Sequence, residues 1–550
     1  MNYKNTSSSY KYLFPIIIFL LFCGQTDVRS QQIKNTVPTI SAVDSARSIK
    51  SLKRDINKIL RAKHLQTRTK MAVAVYSLTN NDYYYSKNLD LQLTPASTTK
   101  LITTFSSMNI MGEDFKIKTT LYTDAKHVRD SVLEGNLYIY GRGDVLLSLA
   151  DIEYLAAEIH KFGIRKINGN IYADGSYFDG MTDRKVYSGD KDRVEKLPPI
   201  TALVLEQNLV QVNVNAGSVP GELLSVQIIP ASSAIKIIVE AKVKGKVRRK
   251  KRSSIDTAGR FDDLVYGGEV FPQKYGDASS SKKRRRRKRP TVKVLSKMGT
   301  DSLQSITVSG YLKPNKSYTS RYYILNPELT VAGYLKNRLT NAGVKVSGDI
   351  GEKCIRDLDS TIIMQTVAEV ERPITDLIYT ANKESNNYFA ETLFKIIGAY
   401  RGNYENNAEE SRKSIVALAD SLKIPFDKCN FFDGSGLSRR NTVTAHALIE
   451  LLIKSKSVFE TNIFDSTLSI AGVDGTLMKR MRNTPAEDNL RAKTGTLRNV
   501  SALAGFVTTP DDEELVFAIV FRGNHISDYK RAEDRIGQLL SHLFYFNEDI

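Results

Sequence analysis

The spacing of apolar residues predicts helices and antiparallel strands at both ends of the chain. Near the N-terminus, apolar positions recur at helical intervals, and two apolar runs flank a polar turn at 79–82. Near the C-terminus, two further apolar runs precede a last helical pattern. The predicted elements are a helix at 42–65, strands at 71–78 and 83–85, strands at 502–508 and 515–522, and a helix at 529–544.

The middle of the chain has a different pattern. Between about residue 113 and residue 322, short apolar runs alternate with glycine, proline and aspartate, which indicates many short strands. These runs lie at 137–140, 169–172, 210–214, 235–243 and 292–295. Helical spacing returns after residue 324, and residues 373–397 predict one long helical region.

The two patterns together predict the fold class. We expect an α/β (α+β) protein whose antiparallel sheet, flanked by helices, is split by a large β-rich insertion. The predicted parts are 35–115 and 323–550 for the split domain and 116–322 for the insertion, which would form two subdomains. A chain of 550 residues is too long for one ordinary core, which agrees with this division.

The first thirty residues differ from the rest. Lys4 and Lys11 precede an apolar run of ten residues at 13–22, and residues 28–30 offer a cleavage site. Ten apolar residues are too few to span a bilayer as a helix. A basic start followed by a short apolar centre is typical of a secretory signal peptide. We therefore expect 1–30 to be a signal peptide and the protein to be exported to the periplasm.

The positive charge is concentrated in two runs. Of the net charge of +19, five charges lie in 248–252 and eight in 282–289, which leaves about +6 elsewhere. The runs can form a solvated loop, or they can contact an anionic polymer or an anionic membrane surface. Nucleic acid is not the expected partner of an exported protein.

Cysteine use leaves the pairing open. Cys354 and Cys429 remain after the signal peptide, and they can form a disulfide or stay as separate thiols. No C-x-x-C, clustered His and Cys, or H-E-x-x-H motif occurs, so neither a metal nor a cofactor is predicted.

Three short motifs carry the candidate chemistry. In chain order they are S-T-T-K at 97–100, S-N-N at 385–387 and K-T-G-T at 493–496. The first motif alone is weak, because S-x-x-K recurs at 8–11, 233–236 and 279–282. Only Ser97 opens an apolar-periodic helix with a proline just before it. Order, spacing and context together therefore favour a serine acyl-transfer site.

Each motif residue suits a step of that chemistry. A serine hydroxyl is a weak nucleophile, and Lys100, one helical turn after Ser97, can take its proton only when the lysine is neutral. Burial and the nearby charge of Lys493 would lower the pKa of Lys100. Ser385 can pass a proton towards a leaving amine, and Asn387 can hold a substrate amide. The lysine and threonines of the third motif (Lys493, Thr494 and Thr496) can bind a terminal carboxylate and pair with substrate backbone.

Beyond these motifs, longer segments carry a resemblance to a known family. They are P-A-S-T-T-K-L at 95–101, G-N-L-Y at 135–138, D-G-S-G-L-S-R at 433–439, A-G-V-D-G-T-L at 471–477 and A-K-T-G-T-L at 492–497. The chain resembles the class C low-molecular-mass penicillin-binding proteins, the D-alanyl-D-alanine carboxypeptidase/endopeptidase family. Lys100 and Ser385 are 285 residues apart, more than a compact β-lactamase needs.

The resemblance implies a serine β-lactamase/transpeptidase-like fold and a specific set of roles. Ser97 would be the acylated nucleophile and Lys100 the general base, with Ser385 in proton transfer and Asn387 in substrate binding. The third motif would complete the carboxylate site, and the backbone of Thr496 would serve the oxyanion hole. The implied substrates are peptidoglycan stem peptides ending in D-Ala-D-Ala, or their cross-links, and β-lactams would acylate Ser97.

Two other functions stay open at this point. A β-lactamase-like hydrolase of class A would place a glutamate in an E-x-x-L-N segment after the second motif, and no such segment follows Ser385. A non-catalytic cell-wall-binding protein would rely on the basic runs. In some members of the resembled family an acidic residue of the insertion holds the substrate's side-chain amine, and Asp190 is a weak match for it.

Overall fold

A computed structural model describes residues 42–191, 195–245, 291–459 and 462–543. The predicted signal peptide and both basic runs lie outside the described residues. In the described ranges, no helix combines the length and the apolar character that a membrane span requires.

The helices of the described residues surround one large sheet and pack on the inserted strands. They are α1 (Ala42–Leu60), α2 (Lys63–Gln66), α3 (Thr99–Met111), α4 (Leu149–Lys161), α5 (Arg184–Ser188), α6 (Pro327–Asn341), α7 (Ile374–Lys383), α8 (Asn387–Tyr400), α9 (Asn407–Leu422), α10 (Ala445–Val458), α11 (Ile463–Ser466) and α12 (Ile526–Ser541).

The large sheet is antiparallel and takes its strands from both chain ends. Its six strands, in spatial order, are β19 (Ser469–Ile470), β20 (Arg491–Leu497), β21 (Val500–Thr508), β22 (Glu514–Arg522), β1 (Lys70–Ser77) and β2 (Asp82–Lys87). Strand β1 pairs with β22 in register from Lys70–Arg522 to Ser77–Leu515. This confirms the predicted antiparallel sheet built from the first and last parts of the chain.

The two faces of this sheet carry side chains of different size. On one face, large residues such as Val73, Leu503 and Phe517 pack in a core with α1 and α12. On the other face, small residues such as Ala74 and Ala504 belong to a core with α3, α7, α8 and α10. Successive strand residues point to opposite faces of a sheet. The large side chains therefore face α1 and α12, and the small ones face α3, α7, α8 and α10. The small face lets α3, which follows Ser97, approach the sheet closely.

The inserted region contains a second sheet, a short four-stranded group and a separate β-rich unit. The second sheet, in spatial order, consists of β17 (Ile350–Glu352), β8 (Ile171–Asp174), β6 (Leu137–Gly141), β3 (Lys116–Thr123) and β18 (Gln365–Pro373). A short four-stranded group contains β16 (Lys345–Val346), β7 (Lys166–Ile167), β5 (Val132–Leu133) and β4 (Val128–Arg129). Because β18 pairs with β3, we place the end of the inserted region at Pro373 rather than near residue 322.

A separate β-rich unit lies within the insertion and has its own apolar core. One of its sheets contains β10 (Ser225–Ile229), β9 (Leu209–Asn215) and β15 (Ser317–Tyr323). The other contains β11 (Ile235–Val239), β14 (Gln304–Leu312), β12 (Lys242–Val243) and β13 (Val292–Met298). The segment with the predicted basic runs connects β12 to β13, which places its two ends on this unit.

Candidate active site

Ser97 lies in a short 3-10 turn directly before helix α3. The turn begins at Ala96, and the hydroxyl of Thr98 donates to the carbonyl of Pro95 at 2.8 Å. Ala96 has a positive φ of 51°, a conformation that non-glycine residues adopt only when their surroundings impose it. Gly436 lies against this turn, because a Cβ at that glycine would be 1.9 Å from the Ala96 carbonyl oxygen. The turn holds Ser97 partly exposed at the start of α3.

Lys100 reaches Ser97 from one turn along α3. Its Nζ donates to the Ser97 Oγ at 3.1 Å, to Asn387 Oδ1 at 2.7 Å and to the backbone carbonyl of Ser435 at 2.7 Å. The side chain is fully buried. Three acceptors around one nitrogen satisfy an ammonium group. A neutral amine has two N–H bonds, which fit the two shorter contacts and leave its lone pair towards Ser97.

The surroundings of Lys100 favour this neutral form. Burial lowers the pKa of Lys100 from 10.5 to about 8, because desolvation disfavours the ammonium ion. The negative charges of Glu391, Asp433 and Glu195 act in the opposite direction and limit the shift. A lysine with a pKa near 8 can lose its proton close to physiological pH, and Lys100 must be neutral if it is to take the Ser97 proton.

Ser385 lies in a break between helices α7 and α8, where it has a positive φ of 55°. The side chain of Asn386 begins α8 by accepting from the backbone N–H groups of Tyr388 and Phe389 at 3.0 and 3.4 Å. The prediction of one continuous helical region over 373–397 was therefore wrong at this point. The cap starts a new helix, and the break frees Ser385 from a helix face.

Lys493 lies opposite this break on strand β20. Its Nζ donates to the Ser385 Oγ at 2.8 Å and to the carbonyl of Thr494 at 2.9 Å. The side chain is fully buried, and both desolvation and the charge of Lys100 hold the pKa of Lys493 well below its usual value. The repulsion between the two lysines therefore acts on Lys493. The pKa of Lys100 is shifted by burial and by three nearby carboxylates, and the predicted effect of Lys493 is not among these causes.

Strand β20 carries the third motif past the turn that holds Ser97. A Cβ at Gly495 would lie 2.7 Å from the carbonyl oxygen of Pro95, so only glycine allows this approach. The hydroxyl of Thr494 donates to that of Thr476 at 2.8 Å, whereas Thr496 is exposed. Among the strands of the described residues, β19 pairs only with the first two residues of β20. The rest of that strand edge is open to an extended peptide.

Asn387 connects the general-base candidate to the inserted region. Its Oδ1 accepts from Lys100, and its Nδ2 donates to Glu195 Oε2 at 2.7 Å. A carboxylate only accepts hydrogen bonds, so Glu195 fixes the orientation of this amide. The predicted residues thus form two hydrogen-bonded groups, Ser97–Lys100–Asn387 and Ser385–Lys493, which the repulsion between the two lysines couples.

Two buried carboxylates beside Lys100 were not predicted from the sequence. Glu391 on α8 and Asp433 in the loop between α9 and α10 are both inaccessible to solvent, and Arg184 of the inserted region donates to Asp433 at 2.8 Å. The signal for Glu391 was its place as the one charge in the apolar stretch 388–394. Asp190 does not present its carboxylate to a substrate amine here, because it accepts from Arg184 at 2.6 Å and its side chain is 6% exposed.

Comparison with known proteins identifies the family. A family model described as "D-Ala-D-Ala carboxypeptidase 3 (S13) family" matches residues 52–285 and 289–543. The chain belongs to this family. Membership confirms the predicted low-molecular-mass penicillin-binding protein and its serine-type D-Ala-D-Ala carboxypeptidase activity.

Individual members of the D-Ala-D-Ala carboxypeptidase family support this assignment. A D-alanyl-D-alanine carboxypeptidase of an Actinomadura species is 28% identical over 499 residues, which cover 88% of this chain and 84% of the relative. The D-alanyl-D-alanine carboxypeptidase DacB of Haemophilus influenzae is 24% identical over 449 residues, or 80% and 82% of the two chains. The crystal structure of penicillin binding protein 4 from Haemophilus influenzae matches with a TM-score of 0.63 and 21% identity, covering 89% of this chain and 99% of that one. This match confirms the predicted fold class.

Proposed function

We propose that Ser97 is the acylated nucleophile of this carboxypeptidase and that Lys100 is its general base. The observation that carries the proposal is the 3.1 Å contact between Lys100 Nζ and Ser97 Oγ, on a buried lysine whose pKa is lowered to about 8. The substrate would be a peptidoglycan stem peptide ending in D-Ala-D-Ala.

Acylation follows from the arrangement of these two residues. Neutral Lys100 takes the hydroxyl proton of Ser97, and the Oγ forms a bond to the carbonyl carbon of the penultimate D-Ala. The first peptide groups of the α3 turn and the backbone N–H of Thr496 can donate to the oxyanion, because N–H groups at a helix start lack intrahelical acceptors. The C–N bond then breaks, and Ser385 gives its proton to the leaving D-alanine amine. The proton that Lys100 took from Ser97 replaces it, so Lys100 is neutral again when D-alanine leaves.

Hydrolysis of the resulting ester completes the turnover. Water attacks the acyl carbon while neutral Lys100 accepts a proton from it, and Lys100 then returns that proton to the Ser97 Oγ as the acyl C–O bond breaks. The same steps apply to a cross-link between two stem peptides, in which the leaving amine belongs to the second stem. D,D-endopeptidase activity would therefore use the same residues, and β-lactams would acylate Ser97 as mimics of the scissile amide.

Substrate binding is assigned to the residues around the open edge of β20. Lys493, Thr494 and Thr496 would bind the terminal carboxylate, and the edge would pair with the substrate backbone. Asn387 Nδ2 has a second hydrogen besides the one given to Glu195, and it would donate to the substrate's amide carbonyl. A carboxylate beside Lys493 would also favour the protonated form of that lysine, since opposite charges raise a lysine pKa.

Labelling with a fluorescent penicillin tests the nucleophile. We expect covalent labelling of the purified protein and none of Ser97→Ala, with Ser435→Ala as a matched serine control in the same site. Equal labelling of the parent and Ser97→Ala would refute the assignment. Digestion of cross-linked peptidoglycan, with product identification, separates carboxypeptidase from endopeptidase activity, and rapid turnover of penicillin would instead favour a β-lactamase.

We further propose that the protein is exported and that the basic runs 248–252 and 282–289 contact an anionic cell-wall polymer or membrane surface. Thirteen positive charges in one inserted segment support the contact. Deleting 282–289 should leave penicillin labelling unchanged and reduce salt-sensitive retention on an anionic matrix. Unchanged retention would contradict the contact.

A further inference from the structure

Two buried carboxylates hold the backbone turn that faces Lys100. Glu391 accepts from the backbone N–H groups of Gly434 and Ser435 at 3.2 and 2.9 Å. Asp433 accepts from the N–H of Gly436 at 2.9 Å. Three consecutive N–H groups of the turn are therefore bound by carboxylates, and hydrogen bonds to charged acceptors are stronger than those to neutral ones.

This turn provides one of the acceptors that orient the base. The N–H of Gly436 and the carbonyl of Ser435 belong to one planar peptide group, so fixing the first also fixes the second. The Ser435 carbonyl lies 2.7 Å from Lys100 Nζ. In the neutral amine this contact and the one to Asn387 use both N–H bonds, and only then does the lone pair point at the Ser97 hydroxyl.

We infer that Glu391 is a positioning residue for the general base. It binds the N–H of Ser435, and together with Asp433, which fixes the Ser435 carbonyl through the N–H of Gly436, it holds the turn that faces Lys100. The inference rests on the proposed roles of Ser97 and Lys100. Glu391 is fully buried and accepts from Tyr187 and from the N–H groups of Gly434 and Ser435, so it acts on the site through the turn and does not contact the substrate.

The inserted region stabilises both carboxylates. Tyr187 donates its hydroxyl to Glu391 at 2.8 Å, and Arg184 donates to Asp433 at 2.8 Å. Both donors lie on α5, inside the insertion. A buried carboxylate is costly unless it is paired or hydrogen-bonded. The insertion is therefore part of the support of the catalytic lysine and does more than extend the substrate surface.

Glu391 also carries a charge that Lys100 senses. Burial and the nearby Asp433 raise the pKa of Glu391 to about 7, which is below the value of about 8 for Lys100. In its ionised form Glu391 favours the ammonium form of Lys100. The other charged or titratable groups facing this pair are Lys493 of β20, Asp433 of the turn, and Arg184, Tyr187 and Glu195 of the inserted region.

The test is the pH dependence of acylation in Glu391→Gln. Loss of the negative charge removes stabilisation of the Lys100 ammonium form, so the acid limb should move to lower pH by about one unit. The acylation rate constant on the plateau should fall, because one N–H of the turn loses its acceptor. The dissociation constant of the non-covalent penicillin complex should not change, since Glu391 does not face the cleft.

Two matched variants complete the experiment. Asp179→Asn alters the 2.6 Å contact with Lys395, one turn farther along α8, which also joins the inserted region to that helix. It should lower Tm without moving the pH profile. Glu391→Asp keeps the charge but shortens the side chain, so its midpoint should stay and its plateau should fall.

The outcomes separate this inference from the proposed function. A profile for Glu391→Gln that coincides with the parent profile, or an equal shift in Asp179→Asn, would overturn the role of Glu391. If Glu391→Gln does not fold, Glu391→Asp decides, and a parental plateau would overturn the role. Failure of the parent protein to label with penicillin would instead refute the proposed function itself.

Discussion

The rate of acylation should rise with pH around a midpoint near 8, because only neutral Lys100 can take the Ser97 proton. The pKa of Lys100 is lowered from 10.5 to about 8, and such a shift corresponds to about 3 kcal/mol between the two protonation states. At pH 7 about a tenth of the protein would then hold a neutral lysine, against roughly three molecules in ten thousand with the unshifted value. Burial of this one side chain therefore changes the active fraction about 300-fold.

Stopped-flow measurement with a chromogenic penicillin gives the rate constant and the binding constant separately. The profile should be collected from about pH 6 to about pH 10 at constant ionic strength. The rate constant reports the base, whereas the binding constant includes the contact between Lys493 and the carboxylate. Lys100→Arg is the matched variant, because a guanidinium keeps a positive charge but does not lose its proton in this range.

A midpoint of the parent protein at about 10 or above, where an exposed lysine titrates, would refute the role of buried Lys100 as the base. Acylation of Lys100→Arg at the parental rate would also refute it, since no proton acceptor would then remain at that position. A flat profile with normal rates would point to a different base.

Three further results should follow from the structure. Gly436→Ala should slow acylation by tenfold or more, as measured by penicillin labelling, with Tm recorded beside it. Gly402→Ala should not slow acylation, because Gly402 has a similar positive φ but open space around it. Equal effects of the two substitutions would show that the close contact of Gly436 with the Ala96 carbonyl is not the cause. Ser435→Ala should keep most of the parental labelling rate, because the backbone carbonyl makes the contact with the base; loss of labelling would contradict this. Denatured, unreduced protein should give two titratable thiols, since Cys354 and Cys429 are both free, and fewer than two would show a disulfide.

The sequence predicted the elements that depend on local patterns. The strands at both chain ends and the helix after Ser97 follow from hydrophobic spacing and from a proline ahead of the helix, and they were found at β1, β22 and α3. The three motifs were also placed together, because their order and context matched one kind of site. What a local pattern does not contain is the partner of a distant segment, such as the pairing of β18 with β3.

The break at Ser385 shows a second limit of the sequence. The residues from Ile374 to Ile397 have helical spacing throughout, and nothing in them requires a residue at φ 55°. The side chain of Asn386 starts a new helix, and Lys493, 108 residues later, binds the Ser385 hydroxyl. A strained backbone of this kind persists only when the tertiary structure over-determines it, and it recurs at functional sites.

The buried carboxylates Glu391 and Asp433 help to set the pKa of Lys100. Lys100 and Lys493 are both fully buried. Desolvation lowers the pKa of each, and the charge of Lys100 lowers that of Lys493 further. Glu391 and Asp433 oppose this by raising the pKa of Lys100, and the charge of Arg184 in turn lowers the pKa of Glu391. Without the carboxylates Lys100 would be a weaker base, and with no burial it would be protonated at neutral pH. The pKa of Lys100 near 8 therefore results from burial, which lowers it, and from the nearby carboxylates, which raise it. The inserted region contributes through Arg184, which binds Asp433.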